Sequence, residues 1–469
     1  MISAIPSRAT RLREWAACPV GAEPLIVFRV GFGLLTFLAA ARFLSKGWVA
    51  TQYIEPEFHF RYVLFQWLPE LPGAWLYSVF VAQMVFALLI AFGWRYRAGA
   101  VGFFLSFSYV ELIDQTSYLN HYYFISLVSL LLIILPLHHW SSLDARAGRM
   151  SKSPSAPRWI SLVLQAQIAI VYFFAGLAKL NPDWLLQAQP LGIWLSARTG
   201  FPVLGPVFDQ QWAAYLMSWS GAAFDLTIPF FLFWRRSRPW AYVAVVAFHL
   251  TTAALFPIGV FPWVMIVSTL IFFDSNDFTR LGARLTQLSG FRNRSVAADR
   301  DPGAWAEGES GVGAVGNPPW RRWTLAAFFF VQILMPLRHL AYPGPVLWTE
   351  EGYRFSWRVM LVEKTGTVIF TVTDPESGRS WDAFPSDYLN PQQERQLAFQ
   401  PDMILSFAHY LRDAARADGV REPEVRAKAY VSLNGRRALL LVDPEVDLAK
   451  ERRSLATKHW ILPQSLREG

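Results

Sequence analysis

The amino-acid sequence predicts an α-helical polytopic membrane protein of about nine transmembrane helices with a C-terminal, mainly-β extracytoplasmic domain. Three observations carry this expectation. Of 469 residues, 53% are hydrophobic and 17% charged, against roughly 25% charged in an ordinary soluble domain. The apolar excess is gathered into long runs within residues 1–340, while 341–469 reads as a normal soluble sequence. The basic residues of the first part cluster in short loops beside the apolar runs.

A membrane helix needs about 20 mostly apolar residues. Nine segments approach this: 24–45, 72–93, 98–114, 121–137, 158–178, 211–234, 239–256, 258–273 and 322–340. Arg8, Arg11 and Arg13 precede the first, which lacks a small-residue cleavage site and reads as an uncleaved helix. Arg95 and Arg97 separate the second from the third, and Arg146, Arg149, Lys152 and Arg158 the fourth from the fifth. Arg235, Arg236 and Arg238 separate the sixth from the seventh; Arg280, Arg284, Arg292 and Arg294 follow the eighth, and Arg321 and Arg322 precede the ninth. All these loops share one side if the N-terminus is cytoplasmic, which places the C-terminal domain outside. The Gly-, Ser- and Arg-rich stretch 288–318 reads as a flexible cytoplasmic linker.

The division is therefore a transmembrane domain over 1–340 and an extracytoplasmic domain over 341–469. In the latter, 354–362 and 366–374 alternate like strands around a Lys364–Gly366 turn. Segments 426–433 and 437–443 flank Asn434–Gly435, a hairpin signal, and 400–416 reads as a helix. The net charge of +8 lies in membrane-flanking loops, without a basic stripe of interleaved aromatics, so nucleic acid is not a predicted partner. The single cysteine, Cys18, excludes an internal disulfide and thiol-pair chemistry.

Ionisable residues inside spans are costly and mark function. Lys179 ends the fifth span, where it is either a snorkelling interfacial lysine with Asp183 as its ion partner or a desolvated base. His121 starts the fourth span after Asn120, as an interfacial histidine or as a donor of protons or hydrogen bonds. His249, within the seventh span, precedes a Pro257-Ile258-Gly259 turn able to break a helix around a ligand. Asp225 and Arg29, also within spans, are candidates for a buried pair or a cavity lining. His138 and His139 lie at the other end of the span that starts at His121, so the three do not form a metal site, and HExxH, GxGxxG and GxSxG motifs are absent.

The run Phe174-Ala-Gly-Leu-Ala-Lys-Leu-Asn-Pro-Asp-Trp184 resembles the Ala-Gly-x-x-Lys-Leu-x-x-Asp-Trp signature of vitamin K-dependent γ-carboxylases and their bacterial relatives, the HTTM (horizontally transferred transmembrane) family. Asn120-His121 with Tyr122 and Tyr123, Pro257-Ile-Gly259, Tyr353-Arg-Phe-Ser-Trp357-Arg-Val-Met360 and Tyr388-Leu-Asn-Pro391 resemble further segments of that family in order, over roughly 24–415. The resemblance implies Lys179 as the base that deprotonates reduced vitamin K, a naphthohydroquinone, and His121 as the residue on the carbanion side. It implies oxygen and carbon dioxide as co-substrates, a quinone epoxide as product and a glutamate-containing peptide as the carboxylated partner, with no metal. It points to Asn120, Tyr122, Asp183, Trp184, His249, Gly259, Tyr353 and Trp357 as the substrate and quinone surroundings, and to a bacterial inner membrane. Where family carboxylases carry Lys-Lys before Leu, this chain has Ala178-Lys179, and it ends early at Gly469, so quinol oxygenation is supported better than carboxylation. The competing classes are a transporter or lipid- and anion-binding protein using Lys179 and His121, and an assembly protein whose C-terminal domain recruits a partner.

Overall fold

The computed structural model describes residues 7–149, 155–288 and 317–464. Lys152, Arg292, Arg294 and nearly all of the 288–318 linker lie outside the described residues. Each of the nine apolar segments contains a helix: α1 (Glu23–Ser45), α2 (Gly73–Phe92), α3 (Tyr96–Ile113), α4 (Asn120–Ile134), α5 (Arg158–Ala178), α6 (Gln211–Phe233), α7 (Arg238–Leu255), α8 (Phe261–Thr269) and α9 (Pro319–Leu337). Five of them (α1, α2, α5, α6, and α9 with its extension to Ala341) are long and apolar enough to cross a membrane. Helices α4 and α8 are shorter apolar pieces. Helix α3 carries Arg97 and Glu111, which interrupt its apolar character. The protein is thus an integral membrane protein with five candidate spans, and a count of nine crossings is not established by length and composition.

Several of the basic loops meet one another at one end of the bundle. There the Asp144 carboxylate accepts from the backbone N–H of Arg95 (3.0 Å) and Tyr96 (3.1 Å) and from Arg149 Nη1 (2.9 Å). Arg238 Nη1 meets Asp274 Oδ2 at 3.0 Å. Arg29 also lies at this end, where its Nη2 donates to the Ser141 carbonyl at 2.8 Å. Arg29 therefore does not pair with Asp225, which removes one of the two alternatives for these residues: Asp225 meets Lys179 instead.

The opposite end is covered by the C-terminal domain. Its sheet comprises β1 (Lys364–Thr373), β2 (Ser380–Ala383), β3 (Glu424–Leu433) and β4 (Leu439–Leu440), antiparallel in the order β2-β1-β3-β4. Along β3, Val425, Ala427, Ala429, Val431 and Leu433 are buried, the alternation of a strand covered on one face. The cover is α10 (Pro401–Ala417), whose Met403, Ile404, Phe407, Ala408 and Leu411 join the same core. One sheet roofed by one amphipathic helix makes the domain mixed α and β rather than mainly β. The hairpin turns at Asn434 (φ 51°) and Gly435 (φ 75°), both in the left-handed region that such a turn requires.

Residues 354–362 form no strand. Phe355 (φ 59°), Trp357 (φ 57°) and Met360 (φ 53°) adopt left-handed backbone, which a strand excludes. Their apolar alternation arises from a folded turn, and Lys364–Gly366 is the start of β1. Phe58 and Phe60, from the α1–α2 connection, pack in the C-terminal core, and Gln393 Nε2 donates to Asp114 Oδ2 at 3.0 Å, so the two parts of the chain are knit together.

Candidate functional site

Lys179 follows the last residue of α5. Asn181 then caps a short helix, Pro182–Gln187: its Oδ1 accepts from Trp184 N at 3.0 Å, with Pro182 at the first helical position. The signature is thus a helix stop followed by a helix start, which fixes the lysine at a corner. Trp184 is buried, donating from Nε1 to the Ser218 carbonyl at 2.7 Å, and its ring lies 5.3 Å from Lys179 Nζ. Lys179 is 5% exposed and is not a snorkelling lysine. Its Nζ donates to Asp225 Oδ2 on α6 at 2.6 Å. The two helices approach closely because position 176 has no Cβ: one there would lie 2.7 Å from Leu226 N. The glycine of the signature is therefore what lets the lysine reach its acid.

The predicted ion partner of Lys179, Asp183, is engaged elsewhere. Its Oδ2 accepts from Asn434 Nδ2 (2.7 Å) and Arg436 Nη1 (2.8 Å), and its Oδ1 from Arg436 Nη2. The hairpin tip of the C-terminal domain thus grips the short helix that follows Lys179. Burial would raise the Asp183 pKa, but the hydrogen bonds from Arg436 and Asn434 and the Arg436 charge hold it below the ordinary carboxylate value.

His121, buried in the first turn of α4, stacks on Phe261 with ring centroids 5.6 Å apart. On another side Phe261 meets His249 edge-on at 5.9 Å. His249 Nε2 shares a 2.8 Å hydrogen bond with Tyr172 Oη, and the Tyr172 ring lies 5.8 Å from Phe224, the neighbour of Asp225. A series of buried and half-buried rings therefore runs from His121 through Phe261, His249 and Tyr172 to Phe224, which precedes Asp225 on α6. His249 Nδ1 is buried without a hydrogen-bond partner.

Asn120 Nδ2 donates to the Arg358 carbonyl at 3.1 Å and its Oδ1 accepts from Tyr118 Oη, so it ties the turn at 353–360 to α4. Trp357 in that turn is buried against Tyr123, centroids 4.9 Å apart, and its Nε1 has no partner. Tyr353 donates its backbone N–H to Glu350 O at 3.0 Å. Gly259 has φ 63°, and a Cβ there would sit 3.6 Å from Arg42 Nη1. Tyr122 packs edge-on against His121, centroids 4.5 Å apart, and lines a cavity of about 30 Å³, room for one water molecule, with Glu111, Gln83 and Tyr53. A larger cleft of about 490 Å³ lies at the far end, lined by Arg95, Arg97, His138 and Asp144. It is remote from Lys179 and its acid is already hydrogen-bonded.

Sequence reasoning did not find Tyr172, Phe261, Glu111 or Arg436. Glu111 alone carried a signal, an acid inside a span. Among the described residues no group of three or more His, Cys, Asp or Glu is placed to hold a metal ion.

Residues 18–276 match the family model of the HTTM domain, and residues 318–467 match that of the vitamin K-dependent gamma-carboxylase lumenal domain. No solved structure matches the chain. With both halves accounted for in sequence order, the chain belongs to the HTTM-containing family of vitamin K-dependent gamma-carboxylase relatives.

Proposed function

We propose that this protein oxygenates a reduced naphthoquinone of the vitamin K type to its epoxide, and couples this to carboxylation of peptide glutamate by carbon dioxide. The observation that carries the reading is the Lys179–Asp225 pair, buried among aromatic rings in the membrane part. A proton passed from Lys179 Nζ to Asp225 leaves an amine lone pair at Lys179, shielded from water and able to take a hydroxyl proton. The quinol, when bound, supplies the oxygen chemistry that no side chain here provides.

The residues present fit such a group. His249 Nδ1 and Trp357 Nε1 are buried without partners, and unsatisfied polar groups in an apolar setting cost free energy until something bonds them. His249 with the rings of Phe261 and Tyr172 suits a flat molecule carrying oxygens. His121 would serve the carbanion side, with Asn120, Tyr122, Gly259, Tyr353 and Trp184 shaping the surroundings. The hydrogen bonds at Asp183 favour a docking role for it over substrate contact.

The same reading gives nine crossings, a cytoplasmic N-terminus, a C-terminal domain of 341–469 outside a transmembrane domain of 1–340, and a bacterial inner membrane. It is supported by the basic loops meeting at the end opposite that domain. Incubation of purified protein with reduced vitamin K and oxygen tests it. Epoxide forms with wild type and not with Lys179→Ala; no epoxide from wild type, or equal amounts from both, overturns the reading. Labelled carbon dioxide with a glutamate peptide then tests carboxylation.

A further inference from the structure

The cleft of about 490 Å³ lies at the end of the bundle away from the C-terminal domain. Arg95, Arg97 and Arg149 line it with a single acid, Asp144. That acid is already satisfied: it accepts from the backbone N–H of Arg95 and Tyr96, and Arg149 Nη1 donates to it at 2.9 Å. Arg97 Nη1 donates to the Ile133 carbonyl in the last turn of α4, which holds its guanidinium at the wall. Among the described residues the Arg95 side chain has no carboxylate partner, since Asp144 pairs with Arg149.

Two further observations mark the cleft as fit for an anion. The first turn of α3 opens onto it through Tyr96, Arg97 and Ala98. The first N–H groups of a helix have no intrahelical partner and carry partial positive charge. Asp144 takes that of Tyr96, while those of Arg97 and Ala98 have no acceptor among the described residues. His138 also lines the cleft. It is 4% exposed and stacks on Tyr96 with centroids 5.0 Å apart, and its Nδ1 is buried without a hydrogen-bond partner. A buried polar atom left so is costly until something bonds it.

Guanidiniums, helix N–H groups and an imidazole together suit the oxygens of a phosphate. The place of the cleft says which phosphate. Trp94, beside Arg95, and Phe92, the last residue of α2, are 46% and 55% exposed. Exposed aromatics at the end of a span mark the level of the headgroups, and basic pockets between spans hold anionic headgroups. We propose that Arg95, Arg97, Arg149 and His138, with the first turn of α3, bind the phosphate of one anionic phospholipid in the membrane leaflet away from the C-terminal domain.

The test counts bound lipid. Full-length protein, delipidated in dodecyl maltoside, is titrated with phosphatidylglycerol and, separately, with phosphatidylcholine of the same acyl chains, and native mass spectrometry reads the bound fraction. Saturable uptake of one phosphatidylglycerol is expected, weakened by salt and at least about tenfold tighter than uptake of phosphatidylcholine. Arg95→Gln and Arg97→Gln each weaken it by about tenfold. Arg95 is exposed, so its variant tests the site even if the Arg97 variant folds poorly. Arg236→Gln, in another basic loop where the side chain is exposed, leaves uptake unchanged. The proposal is overturned if wild type takes up both lipids alike, or if Arg95→Gln binds as wild type does. It is equally overturned if Arg236→Gln weakens binding as much, which would make the attraction a matter of net charge. Full displacement of the phospholipid by millimolar inorganic phosphate at constant ionic strength would mark a free-phosphate site and overturn the headgroup assignment. Epoxide formation has no part in this readout, so the two results stand apart.

Discussion

Lys179 and Asp183 belong to one short motif, and each is held by an opposite charge from far along the chain, yet the two pairs differ in kind. Lys179 and Asp225 have side chains 7% and 6% exposed. Asp183 and Arg436 have side chains 13% and 37% exposed. In the first pair water cannot replace a lost partner, so each charge depends on the other. In the second, solvent takes over part of the interaction when it breaks. One motif therefore carries both a buried charge pair and a mechanical grip, and the sequence does not say which residue does which.

The sharpest way to break this comparison is to remove Lys179. Lys179→Ala leaves Asp225 buried without a counter-ion, and a loss of about 3–5 kcal/mol is expected, read as a lower unfolding temperature, together with loss of epoxide formation. Replacing both residues, Lys179→Met with Asp225→Leu, is expected to restore the unfolding temperature, because apolar substitutes for a buried pair are often neutral or stabilising. Epoxide formation stays lost. Recovery of epoxide in the double variant would show that the pair is structural only.

Next in size is the close approach of α5 and α6. A Cβ at position 176 would lie 2.7 Å from Leu226 N and 3.0 Å from the Asp225 carbonyl carbon. Gly176→Ala therefore forces the helices apart at the level of the pair. A destabilisation of about 1–3 kcal/mol and a fall in epoxide formation are expected. The grip at Asp183, on a different element, is left in place, as hydrogen exchange over 182–187 would report.

These partners explain how far the sequence could be read. Apolar runs located the helices and the Asn434–Gly435 signal located the hairpin, because both are encoded within a few residues. The partner of Lys179 is not local. Asp183 was the nearest acid in sequence, and Asp225 lies on another span. A buried base in one span and a buried acid in another are nonetheless a legible pair, since neither is stable alone. The turn at 354–362 misled for the opposite reason. Phe355, Trp357 and Val359 alternate as in a strand, but left-handed backbone at Phe355 and Trp357 turns them against Tyr118 and Tyr123 instead. Only the tertiary surroundings impose that conformation.

A smaller effect is expected at the grip itself. Arg436→Gln removes the paired hydrogen bonds on Asp183 and leaves Asn434 Nδ2 as its donor. A loss of about 1–2 kcal/mol should appear as faster hydrogen exchange at 182–187 and 434–436. The core of the sheet, sealed by α10, should exchange as before. Equal acceleration in both places would mean that the hairpin tip stabilises the whole domain rather than its contact with the short helix.

The smallest effect is that of pH, and its sign follows from the same contacts. The Asp183 carboxyl is held below its ordinary value, so the folded state releases its proton more readily than the unfolded chain does. Its contribution is complete above the ordinary carboxylate value of about 4 and is lost as pH falls through the lower folded value. Between about pH 8 and pH 5 the exchange rate at 182–187, corrected for intrinsic chemistry, should therefore stay constant. A rise within that window would mean that Asp183 titrates there and that Arg436 does not stabilise its charge. That result would place Asp183 with groups open to a substrate and remove the distinction between the two halves of the motif.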